Sequence, residues 1–146
     1  MRIRRFELKA FGPFTGRALE LDSKRPGFHI IFGPNEAGKS SSLRALKALS
    51  YGFPERTPDN FIHANNQLLV GGLLENRDGR TITFHRRKKR KADIIDGEGN
   101  PLEQSALTPF LQGVESETFE SLYGIDHDVL VQGGEEILAQ KGEVGQ

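Results

Sequence analysis

Three observations predict an α/β fold built around a phosphate-binding loop. The segment Gly33-Pro34-Asn35-Glu36-Ala37-Gly38-Lys39-Ser40 fits G-x-x-x-x-G-K-[ST] at every fixed position. A short apolar run, Phe28–Phe32, leads into it, as a buried strand would. Leucines at helical spacing, Leu43, Leu46 and Leu49, lead out of it. Beside this unit, residues of about 1–32 and 67–100 read as an antiparallel β-lobe, so the expected sheet is mixed.

The elements follow in order. Phe6, Leu8 and Ala10 alternate with Glu7 and Lys9, the pattern of a half-buried strand, and Gly12-Pro13 breaks it. Leu19 and Leu21 mark a second strand near residues 17–21. Pro26-Gly27 turns the chain into Phe28–Phe32. The helix after the loop runs from Ser40 to about Tyr51, where Gly52 and Pro54 stop it. Residues 55–66 are polar and irregular. Strands at 67–75 and 80–87 flank Asn76-Arg77-Asp78-Gly79, in which Asp-Gly signals a hairpin. A short strand at 93–95 precedes another turn, Asp96-Gly97-Glu98-Gly99-Asn100. The remainder, about 103–146, reads as helical: 103–112, 116–123 with Ser116 as N-cap, and 135–140.

Composition removes several classes. A chain of 146 residues with 36% apolar content is one domain in size, and its 17 glycines suit a loop-rich α/β unit. No cysteine is present, which excludes a disulfide scaffold and a zinc ribbon. No apolar run approaches the length of a membrane span, and no apolar stretch follows the basic start, so no membrane partner and a cytoplasmic location are expected. The zero net charge hides a split. Residues 1–91 hold 19 Lys and Arg against 8 Asp and Glu, whereas residues 92–146 hold 1 against 12. Such a division suits either a polyanion-facing side or an acidic part that meets another segment.

The loop carries the chemistry. Gly33 and Gly38 let the backbone curl so that successive N–H groups face phosphate oxygens. Lys39 sets an ammonium against the β/γ-phosphates, Ser40 offers a hydroxyl to Mg²⁺, and the helix dipole adds to both. Pro34, Asn35, Glu36, Ala37 and Ser41 complete the expected contact set. A second feature is the run Arg86-Arg87-Lys88-Lys89-Arg90-Lys91. Cations this dense repel one another and favour an exposed hairpin tip, where they would neutralise nucleic-acid phosphates without reading sequence. No aromatic residue interleaves them, which favours duplex DNA over single strands.

The chain resembles SbcC/SMC-type ATPases, and most closely the YhaN-like group of bacterial AAA-family proteins. The likeness lies in Phe11-Gly12-Pro13-Phe14, in Ile30–Leu49, in Tyr51-Gly52-Phe53-Pro54-Glu55-Arg56-Thr57, in Asn60-Phe61-Ile62-His63, in Gly124-Ile125-Asp126-His127-Asp128 and in Gly133-Gly134. The resemblance implies an ABC-type ATPase head split by a coiled coil, with this chain as the N-terminal half. It implies ATP and Mg²⁺ as ligands, head–head homodimerisation on ATP, duplex DNA as a partner and an SbcD-type nuclease as another. The sequence holds no four-residue apolar run ending in Asp-Glu, no Leu-Ser-Gly-Gly signature and no heptads. The C-terminal half would supply those groups, so this chain alone is expected to bind ATP and to hydrolyse it poorly or not at all. The abrupt stop at Gln146 suggests a cut within a domain, before the coiled coil.

Relatives place a glutamine near Mg²⁺ and the attacking water. Gln132 is the candidate here; the YhaN-like pattern often carries another residue at that position, and Asp126 or His127 are the alternatives. By the same resemblance Arg56, Asn60 and His63 run near the nucleotide, and Phe11–Phe14 lies by the adenine edge. Three other readings compete. A nucleotide-gated docking module would bind ATP without cutting it. A small GTPase would use Asp96-Gly97-Glu98-Gly99 as its D-x-x-G motif, but no Asn-Lys-x-Asp follows, and the tetrapeptide is also ordinary turn chemistry. A small-molecule phosphotransferase would need an Arg-rich lid, which is absent from the sequence.

Overall fold

A computed structural model of the chain describes residues 1–21, 27–125 and 127–143. Two compact units divide it, Met1–Glu115 and Ser116–Gln146. In the first, six strands form one sheet: β1 (Arg2–Phe11), β2 (Phe14–Glu20), β3 (Leu69–Glu75), β4 (Thr81–Arg87), β5 (Ile94–Asp96) and β6 (Pro101–Leu102). Their order is β2-β1-β3-β4-β5-β6, and every pairing is antiparallel. One helix, α1 (Lys39–Tyr51), lies across β1, β3 and β4.

Alternation decides which face is covered. Phe6, Leu8, Val70, Leu74, Phe84 and Ile94 bury their side chains with Ala45, Ala48 and Leu49 of α1, and Leu107 and Phe110 close the far end. The Gly71-Gly72 pair serves both faces at once. A Cβ on Gly72 would meet Leu49 Cδ2 at 2.8 Å, so the missing side chain lets α1 sit directly on β3. A Cβ on Gly71 would meet His85 Cδ2 at 2.4 Å. Across that bare backbone, on the outer face, His85 Nε2 reaches Glu7 Oε2 at 2.8 Å, joining β4 to β1 over the strand between them.

The turns use the expected chemistry. Asn76 Oδ1 accepts the N–H groups of Asp78 and Arg80, both at 3.0 Å, and Gly79 takes a positive φ of 80°. Asp96 Oδ1 accepts from the N–H groups of Glu98, 2.9 Å, and Asn100, 2.8 Å. These bonds hold the Asp96 carboxyl below the usual carboxylate range, the Asn100 N–H contributing most. The D-x-x-G tetrapeptide is therefore a hairpin turn capped by its own aspartate.

Three expectations change. The strand expected at Phe28–Phe32 does not form. These residues lie outside the sheet, and Phe28 is 90% and Phe32 94% exposed. A strand of that composition needs paired neighbours and cover on both faces, and no described strand runs beside it. The sheet is accordingly antiparallel rather than mixed among the described residues. The helix expected over 103–112 splits into a 3-10 turn, Gln104–Leu107, and the short α2 (Thr108–Leu111), with a proline in its first turn. In the second unit, α3 spans Ser116–Leu122 as expected, whereas α4 begins at His127 and continues to Glu143. A Gly-Gly pair reads as a break, but α4 runs through Gly133-Gly134, at about 1 kcal/mol per glycine relative to alanine.

Candidate functional site

The phosphate loop and α1 are built as the motif requires. Gly38 caps the helix in the left-handed region, φ 92°, and Glu36 before it also has a positive φ, 68°. Gly38 has no side chain to cap the first turn of α1, and no acidic residue lies in that turn. The positive end of the helix therefore meets no anion from its own first turn. Gly38 answers a second demand that the motif alone does not show: a Cβ there would lie 2.3 Å from Phe14 Cζ, because the Phe14 ring packs against the loop.

Lys39 Nζ donates to the carbonyl oxygens of Gly33 and Pro34, both at 2.7 Å, and Ala37 N–H closes the turn on Pro34 O at 3.2 Å. The lysine thus rests across the mouth of its own loop, where phosphate oxygens can replace the two carbonyls. A cleft of about 340 Å³ opens over it, lined by Pro13, Asn35, Glu36, Gly38, Lys39, Ser40, Ser41 and Phe61. Ser40 is exposed, and its hydroxyl suits Mg²⁺, an ion that keeps several waters and takes phosphate oxygens as its remaining ligands. Among the described residues no cluster of three or more His, Cys, Asp or Glu forms a separate cation site. Ser41 differs from Ser40. It is buried and its Oγ accepts from Arg44 Nη2 at 3.1 Å.

Arg44 leads to residues the sequence reading missed. Its guanidinium grips the Asp59 carboxylate through Nε and Nη2, each at 2.7 Å, and Asp59 is 1% exposed. The Asp59 carbonyl in turn accepts the Gly12 N–H at 2.9 Å. His63 Nε2 lies 2.8 Å from Thr15 Oγ1 and 3.1 Å from Phe14 O. The loop 57–63 is therefore fastened both to α1 and to the β1–β2 turn. Asn60 bonds to Asn65 at 3.1 Å, and Arg56 is exposed. The signal available in sequence was the polar density of 55–66. It gave no partner for Asp59.

The basic run divides. Arg86 belongs to the core, 2% exposed, with Nε on Leu49 O at 2.9 Å, Nη1 on Asp93 at 2.8 Å and Nη2 on Gln104 at 2.7 Å. Burial lowers its pKa, and the Asp93 charge works against that shift. Its place on the inward register of β4 takes it out of any surface patch. Arg87 ends β4 and donates to Ala92 O, and Lys88 Nζ reaches Glu55 O at 2.8 Å. Lys89, Arg90 and Lys91 are exposed in the β4–β5 connection. His127 and Gln132 are both exposed on α4, in the second unit; Asp126 lies outside the described residues.

The chain is 22% identical over 130 residues to the uncharacterized protein YhaN of Bacillus subtilis (strain 168), a match over 86% of this chain. It spans 13% of that relative's length. No helix among the described residues is long and apolar enough to cross a membrane. The AAA domain family matches residues 1–146, the whole of the sequence, and the chain belongs to that family of nucleotide-binding ATPase domains.

Proposed function

We propose that this chain is the ATP-binding N-terminal half of an SbcC/SMC-like, ABC-type ATPase head that acts on DNA. The observation that carries the reading is the pairing of a finished phosphate loop with an unfinished apolar run directly before it. Gly33–Ser41 have their turn, helix and cleft, while Phe28–Phe32 have no strand beside them among the described residues. A complementary half would add strands against Phe28–Phe32 and bring the acidic pair that orients water for hydrolysis. ATP·Mg²⁺ would then sit on Gly33–Ser40, with Lys39 on the β/γ-phosphates and Ser40 on the metal. Gln132 is the residue proposed to complete the Mg²⁺ and water contacts, with His127 as the alternative.

For DNA, the exposed Lys89-Arg90-Lys91 segment, with Arg87 and Lys88 at its base, supports phosphate contacts of a sequence-independent kind. Head–head dimerisation and an SbcD-type nuclease partner belong to the same proposal. Its test is calorimetric titration of the chain with ATP·Mg²⁺, followed by single-turnover hydrolysis with and without the complementary half. Binding is expected from the chain alone and is abolished by Lys39→Ala; cleavage is expected only from the reconstituted pair. Full affinity in Lys39→Ala would contradict the site, and equal hydrolysis without the second half would contradict the split.

A further inference from the structure

Two apolar side chains share the cleft with the phosphate loop. Pro13 comes from the β1–β2 turn, and Phe61 comes from the loop between α1 and β3. The Phe61 ring is 65% exposed, although it sits on a segment fastened at both sides. An exposed ring on an immobilised segment beside a phosphate site has the form of a stacking surface, since every nucleobase offers a π-face.

The fastening is specific. Asp59, two residues before Phe61, is buried and held by the Arg44 fork, and a buried carboxylate is tolerated only with such a partner. Arg44 stands on α1 one turn after the phosphate loop, so the fork ties the loop 57–63 to the element that carries Lys39 and Ser40. The Asp59 carbonyl accepts from Gly12 N–H, next to Pro13. A Cβ on Gly12 would meet Asp59 Oδ1 at 3.1 Å and Ser41 Oγ at 3.3 Å, so turn, carboxylate and helix are in close contact. One residue, Asp59, therefore sets the separation of Pro13, Phe61 and the phosphate loop.

We propose that Phe61 and Pro13 are the base-side jaws of the nucleotide cleft, with Phe61 stacking on the nucleobase, and that the Asp59–Arg44 pair is a positioning device that holds them at a fixed distance from the phosphate loop. This rests on the nucleotide-binding reading above. The jaws recognise a planar base rather than its edge, so they favour nucleotides over bare polyphosphate without choosing strongly between purines.

The experiment compares ATP with inorganic tripolyphosphate, each with Mg²⁺, by calorimetric titration of the full chain. Phe61→Ala is expected to weaken ATP by about tenfold, the scale of one lost base stack, and to leave tripolyphosphate unchanged. Phe61→Trp is expected to restore ATP affinity. Arg44→Lys, which keeps the charge but loses the fork, is expected to narrow the ATP-to-tripolyphosphate ratio severalfold while tripolyphosphate affinity holds. A general loss of structure would instead weaken both ligands together. Equal ATP affinity in wild type and Phe61→Ala would overturn the jaw while leaving the phosphate site standing. Failure of the wild-type chain to bind either ligand would overturn the nucleotide reading and this inference with it.

Discussion

Two stretches of this chain look alike on paper and end in opposite environments. Arg2–Phe11 and Phe28–Phe32 are both rich in Phe, Leu or Ile and both lie before a Gly-Pro step. In β1, Phe6, Leu8 and Phe11 are buried, because β2 and β3 pair with its two edges and α1 covers its inner face. In Phe28–Phe32 the rings face solvent. Hydrophobicity specifies a demand for cover, and whether it is met depends on strands that come from elsewhere in sequence.

The largest expected contrast comes from truncating one phenylalanine in each stretch. Phe6→Ala should cost about 4 kcal/mol in denaturant unfolding, through lost burial and the cavity left behind. Phe32→Ala should stay within about 0.5 kcal/mol, as surface changes do. A comparable loss at both positions would mean that the second stretch is covered in solution and would break the comparison. Next in size, Arg86→Ala should cost about 3 kcal/mol, because Asp93 and the carbonyls of Leu49 and Ser50 lose a buried partner. Replacing Lys89, Arg90 and Lys91 by serine should leave the midpoint unmoved; the same measurement thus separates the buried and exposed parts of one basic run.

Smaller still is Gly71→Ala, at about 1 kcal/mol, since the new methyl group drives the His85 ring off Glu7. The smallest effect is confined to acid. Burial raises the Glu7 pKa, but bonds from His85 and Arg5 and the charges of Lys9 and His85 outweigh it, so the net position is below the ordinary 4.5. A lowered carboxylate pKa stabilises the fold fully above the unfolded value, and that contribution fades as pH falls through the folded one. Unfolding profiles of Glu7→Gln should therefore lie under wild type at neutral pH and converge with it only as the pH falls below the ordinary carboxylate range. Parallel profiles across the whole range would remove Glu7 from the account of acid sensitivity.

The parts that were legible in sequence were those whose cause is local. The phosphate loop, α1 and the Asp78-Gly79 hairpin each follow from a few adjacent residues with fixed dihedral demands. Strand β1 was legible because one face of the sheet is wet and the other dry, so alternation marks it, whereas the two-residue β6 left no such pattern. Arg86 was not legible: its neighbours Arg87 to Lys91 mask it, and only the register of β4 turns it inward to Leu49 O and Gln104. Asp59 was hidden for a similar reason. Its partners, Arg44 and Gly12, lie 15 and 47 positions away, and nothing in the polar stretch around it sets it apart. Phe28–Phe32 failed in the other direction, since a buried-strand composition says nothing about where the burying partners reside. The Gly133-Gly134 pair misled because backbone cost is small against the length of α4.

The contact between Phe14 and Gly38 gives the molecule an internal spectrometer. An aromatic ring pressed against a glycine imposes its magnetic anisotropy on that glycine's protons, so the Gly38 resonances should stand apart from those of the exposed glycines. A ligand that repositions the phosphate loop must either slide Gly38 past the Phe14 ring or carry the ring along. In the first case the Gly38 protons change frequency; in the second the Phe14 ring protons and the neighbouring Thr15–His63 pair do. Occupancy of the loop could then be followed in an unlabelled ligand titration, and the pattern of shifts would say which side of the joint gives way.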